Sequence, residues 1–136
     1  MLQLKTIQRM KIKQLLYFGF ALIMLNTTAC NRKLACEHIK SDKESFRASG
    51  IAYSSKQDLA YEKALHIAKR NLIREIAKDV STKSGVGEKL IIDSLEQGIS
   101  IRELEVVCKH HDKHKGSYRS SVAIEMRRDK LLRFYD

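Results

Sequence analysis

The residues with most chemistry to offer stand close together: Cys108, His110, His111 and His114, in the run CKHHDKH. Imidazole nitrogens and a thiolate are good ligands for zinc, copper or nickel. Their spacing matches no recurrent zinc pattern. On an extended strand Cys108 and His110 share one face while His111 points to the other. The set converges only if His111 and His114 curl back through a turn. Four lysines or arginines within residues 109–119 also repel a cation. The bland alternative is a polar hairpin turn with three incidental histidines, and the spacing favours it.

No nucleophile, base and acid stand in a recognisable arrangement. There is no G-x-S-x-G, no glycine-rich phosphate loop and no H-E-x-x-H. Gly85-Val-Gly87 alone reads as a turn. Glu62 and His66 form an i, i+4 pair worth a few tenths of a kcal/mol, so about surface decoration. The expectation is a protein that is not an enzyme and needs no cofactor.

The first thirty residues carry a different chemistry. Lys5, Arg9, Lys11 and Lys13 precede an uncharged run at residues 15–25, LLYFGFALIML, followed by Asn26, Thr27, Thr28, Ala29 and Cys30. A basic stretch, a short apolar stretch and small residues before a cut are the parts of a secretory signal. A permanent transmembrane helix needs about 20 apolar residues, and this run has 11. The Thr-Thr-Ala-Cys end resembles a bacterial lipobox, with the nearest leucine, Leu25, two places further out than usual. The resemblance implies that residues 1–29 are a signal peptide and that Cys30 becomes the acylated N-terminus. Two or more acyl chains anchor a protein stably. Asn31 stands where an aspartate retains enterobacterial lipoproteins in the inner membrane, so the expected site is the outer membrane, facing periplasm or cell surface.

Removing 29 residues and their four basic charges from a 136-residue chain of net charge +10 leaves 107 residues at +6. That suffices for one small domain. A basic surface suits acidic partners or anionic headgroups. Nucleic acid is not expected, because the sequence shows no interleaving of aromatic and basic residues. With Cys30 acylated, Cys36 and Cys108 remain as a pair open to a disulfide, which export permits.

These residues must be positioned by the elements around them. Residues 31–44 are polar and aperiodic and read as a tether. Residues 45–53 alternate as a strand, and Gly50 within it suggests a bulge or the close approach of another backbone. Ser55 with Asp58 resembles a capping box. Ala60, Ala64, Ala68, Leu72, Ile76 and Val80 then recur every four residues, an amphipathic helix of roughly 24 residues. Residues 81–87 are a break, 88–97 a second helix stopped at Gly98. Residues 99–110 read as a strand with a bulge near Arg102 and Glu103. A turn at 111–116 leads into a strand from Tyr118 to Met126, and 129–135 read as a final helical turn. The expected fold is α+β, ordered β-α-α-β-β, with about three antiparallel-rich strands covered on one face by the long helix. It occupies residues 45–136 as a single domain behind the tether at 30–44.

The run FRASGIAYSS at residues 46–55, the alanine-ridged helix to Asn71 and Leu72, the strand ELEVV at 103–107 and the tyrosine-led strand from Tyr118 together resemble the Lpp-twenty family, the twenty-kilodalton bacterial lipoproteins. The resemblance covers residues 46–132, with Ala52 in place of a second glycine. It implies a small α+β envelope lipoprotein and carries over no catalytic residue. The expected role is a non-catalytic, membrane-anchored binding or assembly module; the alternative is a metal-binding envelope protein using Cys108, His110, His111 and His114. Arg47, Ile51 and Tyr53 with Arg119, Ala123 and Arg127 offer a second sheet face to an envelope protein or a second copy of the chain.

Overall fold

The computed structural model describes residues 36–134. The expected signal peptide, Cys30 and residues 31–35 lie outside these. Strand β1 (Ser45–Ser54) leads into helix α1 (Gln57–Ser84) and then α2 (Glu88–Gly98). Strands β2 (Glu105–His114) and β3 (Ser117–Arg127) form a hairpin, followed by the short helix α3 (Arg128–Leu131). The sheet is antiparallel, ordered β1-β3-β2. The fold is α+β as the sequence predicts.

The four-residue stripe explains the packing. Ala60, Ala64, Ala68, Leu72, Ile76 and Ala77 of α1 are all buried. They lie on Phe46, Ala48 and Ala52 of β1 and on Val122, Ile124 and Met126 of β3. The alanine half sets the helix close to the sheet. A Cβ at Gly50 would stand 2.4 Å from the carbonyl oxygen of Ala64 and 2.5 Å from the amide nitrogen of Ala68. Gly50 is thus the close approach, and β1 pairs with β3 in continuous register through it. Further along, Leu72, Ile73 and Ile76 meet Ile91 and Leu95 of α2, and Ile99. Each such fully buried side chain contributes roughly 1.5–3 kcal/mol.

Several boundaries differ from expectation, each for a local reason. Helix α1 runs past Ser81 to Ser84, and within this last turn Thr82 and Ser84 donate their hydroxyls to the carbonyls of Lys78 and Val80. Gly85, at φ 74°, ends it. At its start Lys56 is the cap residue and no side chain caps it, so Ser55 and Asp58 form no capping box. A reciprocal capping box forms instead at Ser100 and Glu103. It winds Ile101–Glu103 into a 3-10 turn, so the strand expected from residue 99 begins at Glu105. The bulge falls between Val106 and Cys108.

The hairpin turn is also tighter than expected. Lys115 and Gly116 both adopt positive φ, 49° and 79°. That is the backbone of a two-residue hairpin loop. Residues 111–114 therefore continue β2.

The tether expectation is corrected over residues 36–44, which pack against the domain. Cys36 is fully buried. The Ser41 hydroxyl accepts from the Arg47 amide at 2.9 Å and donates to the Arg47 carbonyl at 3.2 Å. Asp42 accepts from the amides of Glu44 and Ser45. Asn71 of α1 donates to the carbonyl of Ser49. These bonds occupy part of the outer edge of β1, which would otherwise offer unpaired backbone groups. No helix among the described residues is long and apolar enough to cross a membrane.

Candidate functional site

Strand register sorts the candidate ligands. Cys108, His110 and Asp112 pair with Ala123, Ser121 and Arg119 of β3. They lie on the sheet face away from α1. Lys109, His111 and Lys113 pair with Val122, Ser120 and Tyr118, on the α1 side. His110 and His114 share a face but stand four residues apart on one strand, about 13 Å.

Cys108 is joined to Cys36 by a disulfide, with Cα atoms 5.7 Å apart. Its sulfur is therefore not a thiolate. His111 is turned inward, its Nδ1 2.6 Å from the Ser120 hydroxyl and its ring edge-on to Tyr61 at 5.7 Å. His114 leans on Tyr53, and His110 lies 3.9 Å from Asp112. Among the described residues no group of three His, Cys, Asp or Glu side chains could hold a metal ion. The Cys108, His110, His111 and His114 cluster is corrected accordingly: extended β geometry separates its imidazoles, and the disulfide consumes its sulfur.

What the structure does assemble on the open face is a clamp. Cys36 sits beside the Ser121 carbonyl, and the chain then crosses to the β1 edge at Ser41. Arg47 pairs with both Asp42 and Glu125. Arg119 grips Asp112 through two nitrogens. Ala123 is wholly buried and Ser121 nearly so. The face expected to be free for a second copy is thus partly covered by the chain's own residues.

Electrostatics follow these contacts. The bonds from Arg119 hold the Asp112 carboxyl below its usual range, as the amides of Glu44 and Ser45 do for Asp42 and Lys83 does for Asp79. Burial lowers His111, with Lys109 and His110 adding to the effect and Asp58 opposing it. A histidine lowered in the folded state binds its proton more readily when unfolded. Its stabilising contribution is present above about pH 6.5 and is lost as pH falls toward the folded value. The three aspartates act the same way, but only below about pH 4. We expect the urea midpoint to decline from pH 7 to pH 5, and His111→Gln to flatten that decline. Equal slopes in the two proteins would assign the decline to other groups.

No protein-family model matches the chain, and no curated protein matches it.

Proposed function

We propose that the protein is a membrane-anchored lipoprotein of the bacterial cell envelope, a non-catalytic binding or assembly module held at the outer membrane through an acylated Cys30. The observation that carries this reading is the Cys36–Cys108 disulfide. Disulfides persist in oxidising, exported compartments. The chain has three cysteines; the disulfide uses two and leaves the one that ends the signal-like segment. The resemblance of residues 46–132 to the Lpp-twenty lipoproteins points the same way.

The clamp gives the anchor a mechanical meaning. Cys36 is six residues on from Cys30, a span of about 21 Å at full extension. An anchored Cys30 keeps the domain at the headgroups and raises its effective concentration toward other envelope components.

Intact mass of the protein extracted from membranes of its host tests this. The expected mass is that of residues 30–136 plus glyceryl and acyl groups, less two hydrogens for the disulfide. Cys30→Ser should move the protein out of the lipidated membrane pool. A full-length unlipidated mass, or residues 30–136 bare, would end the proposal.

A further inference from the structure

Three tyrosines far apart in sequence lie toward the hairpin end of the sheet, Tyr61 and Tyr118 on the α1 side and Tyr53 on the open face. Tyr53 lies next to the end of β1, Tyr61 in the second turn of α1 and Tyr118 next to the start of β3. Each lies against a basic or imidazole side chain of β2. The Lys109 ammonium sits 4.3 Å above the Tyr61 ring and the Lys113 ammonium 5.2 Å from the Tyr118 ring. His114 packs on Tyr53, which is half exposed. Lys115 stands at the tip of the turn.

The Lys109 and Lys113 ammonium groups lie over aromatic rings rather than against carboxylates. Elsewhere Arg47, Lys83, Arg127 and Arg128 are each paired with a carboxylate. Within residues 109–119 the one acid, Asp112, is taken by Arg119. Among the described residues no carboxylate pairs with Lys109, Lys113 or Lys115, and all three are exposed. A lysine over a tyrosine face is a cation–π contact, and it leaves the ammonium's outer side open to an anion.

We propose that this hairpin end is a docking surface for anionic lipid headgroups. Lysines attract the negative membrane surface, and tyrosine rings settle at headgroup depth with apolar body and polar tip. The choice of a lipid partner rests on the anchored reading above. Cys36 is bound to Cys108, on the same strand that carries the lysines. Cys108 is six residues from His114, about 20 Å along a strand. Anchor span and strand length are alike, so a lipidated chain holds its lysines within reach of the bilayer. The anchor thus supplies proximity, and the hairpin sets which way the domain faces.

The test uses the mature protein, its mass read first so that loss of the anchor reading is seen separately. It is placed in vesicles of phosphatidylglycerol mixed with phosphatidylcholine, or of phosphatidylcholine alone. Amide hydrogen exchange is then followed across residues 109–119. The expected result is slower exchange in the anionic vesicles, relieved by high salt. The variant Lys109→Gln, Lys113→Gln, Lys115→Gln should abolish the protection. The variant Arg70→Gln, Arg74→Gln, Lys78→Gln removes equal charge from the exterior of α1 and should keep it. Unfolding midpoints of both variants verify that they fold. If the mass shows no lipid, co-sedimentation with the same vesicles reads the hairpin alone. At roughly fivefold per lysine, the hairpin variant should then bind at least about tenfold more weakly. Equal protection in both vesicle types, no protection in either, equal loss in both variants, or unlipidated protein that sediments with neither vesicle would overturn the proposal.

Discussion

Gly50→Ala should cost the domain a large part of its stability. The added carbon would meet the Ala64 carbonyl oxygen at 2.4 Å and the Ala68 amide nitrogen at 2.5 Å. Neither atom is the movable end of a side chain. Relief requires α1 to lift off the sheet, and α1 is seated there by Ala60, Ala64 and Ala68, all fully buried. Lifting it would open gaps beneath Leu72 and Ile76 as well. Ordinary overpacking costs about 1–3 kcal/mol. A clash with backbone on both sides should reach or exceed the top of that range, against a typical total of about 5–15 kcal/mol. Gly116→Ala provides the contrast. Gly116 has positive φ and open space around its Cβ position, so only the left-handed backbone is penalised, at about 1–2 kcal/mol. Urea unfolding of the two variants should separate them clearly. Similar midpoints would mean that α1 and β1 are not in contact at Gly50 as described.

That prediction rests on features that local sequence already carries. A stripe of alanines every four residues and a glycine in an alternating strand both speak of a helix lying close, because each is a statement about one element's own face. The misplaced features are of another kind. Residues 36–44 look like a tether because much of their order comes from partners far away: Cys36 from Cys108, and Arg128 closing on the carbonyl of Asp42. The histidines look like a ligand set because proximity in sequence says nothing of which face a strand turns outward. Moving the turn from residues 111–116 to Lys115 and Gly116 sends His111 inward to Tyr61 and leaves His110 and His114 outside. The tyrosines show the converse. Tyr53, Tyr61 and Tyr118 suggest no interleaved aromatic and basic pattern in the sequence, yet β1, α1 and β3 bring them all toward the same end of the sheet. Positive φ at Lys115 is the signal least available beforehand, since lysine does not favour it.

Removing the disulfide should have the second large effect, and it separates stability from attachment. Cys36 and Cys108 are 72 residues apart in sequence. Cross-linking a loop of that length reduces unfolded-state entropy by an amount worth about 4 kcal/mol in the chain-entropy account. Cys36→Ala with Cys108→Ala should therefore lower the urea midpoint substantially, and reduction of the wild-type protein should reproduce the shift. The core of Leu72, Ile73, Ile76, Val122 and Ile124 does not include the bridge, so the native sheet and helices should persist under mild conditions. The local consequence is different. Without the clamp, Ser41 stays held to the sheet through its two bonds to Arg47. Amides of residues 37–40 should then exchange faster while those of β1 stay protected. In an anchored protein the free span from Cys30 would lengthen by up to five residues, about 17 Å. The domain would keep its fold but lose its short leash, and protection of residues 109–119 on anionic vesicles should weaken with the lysines intact. Unchanged protection in the reduced, folded protein would show that the lysines find the surface without the clamp. Loss of β1 protection along with residues 37–40 would instead make the bridge part of the sheet's own stability.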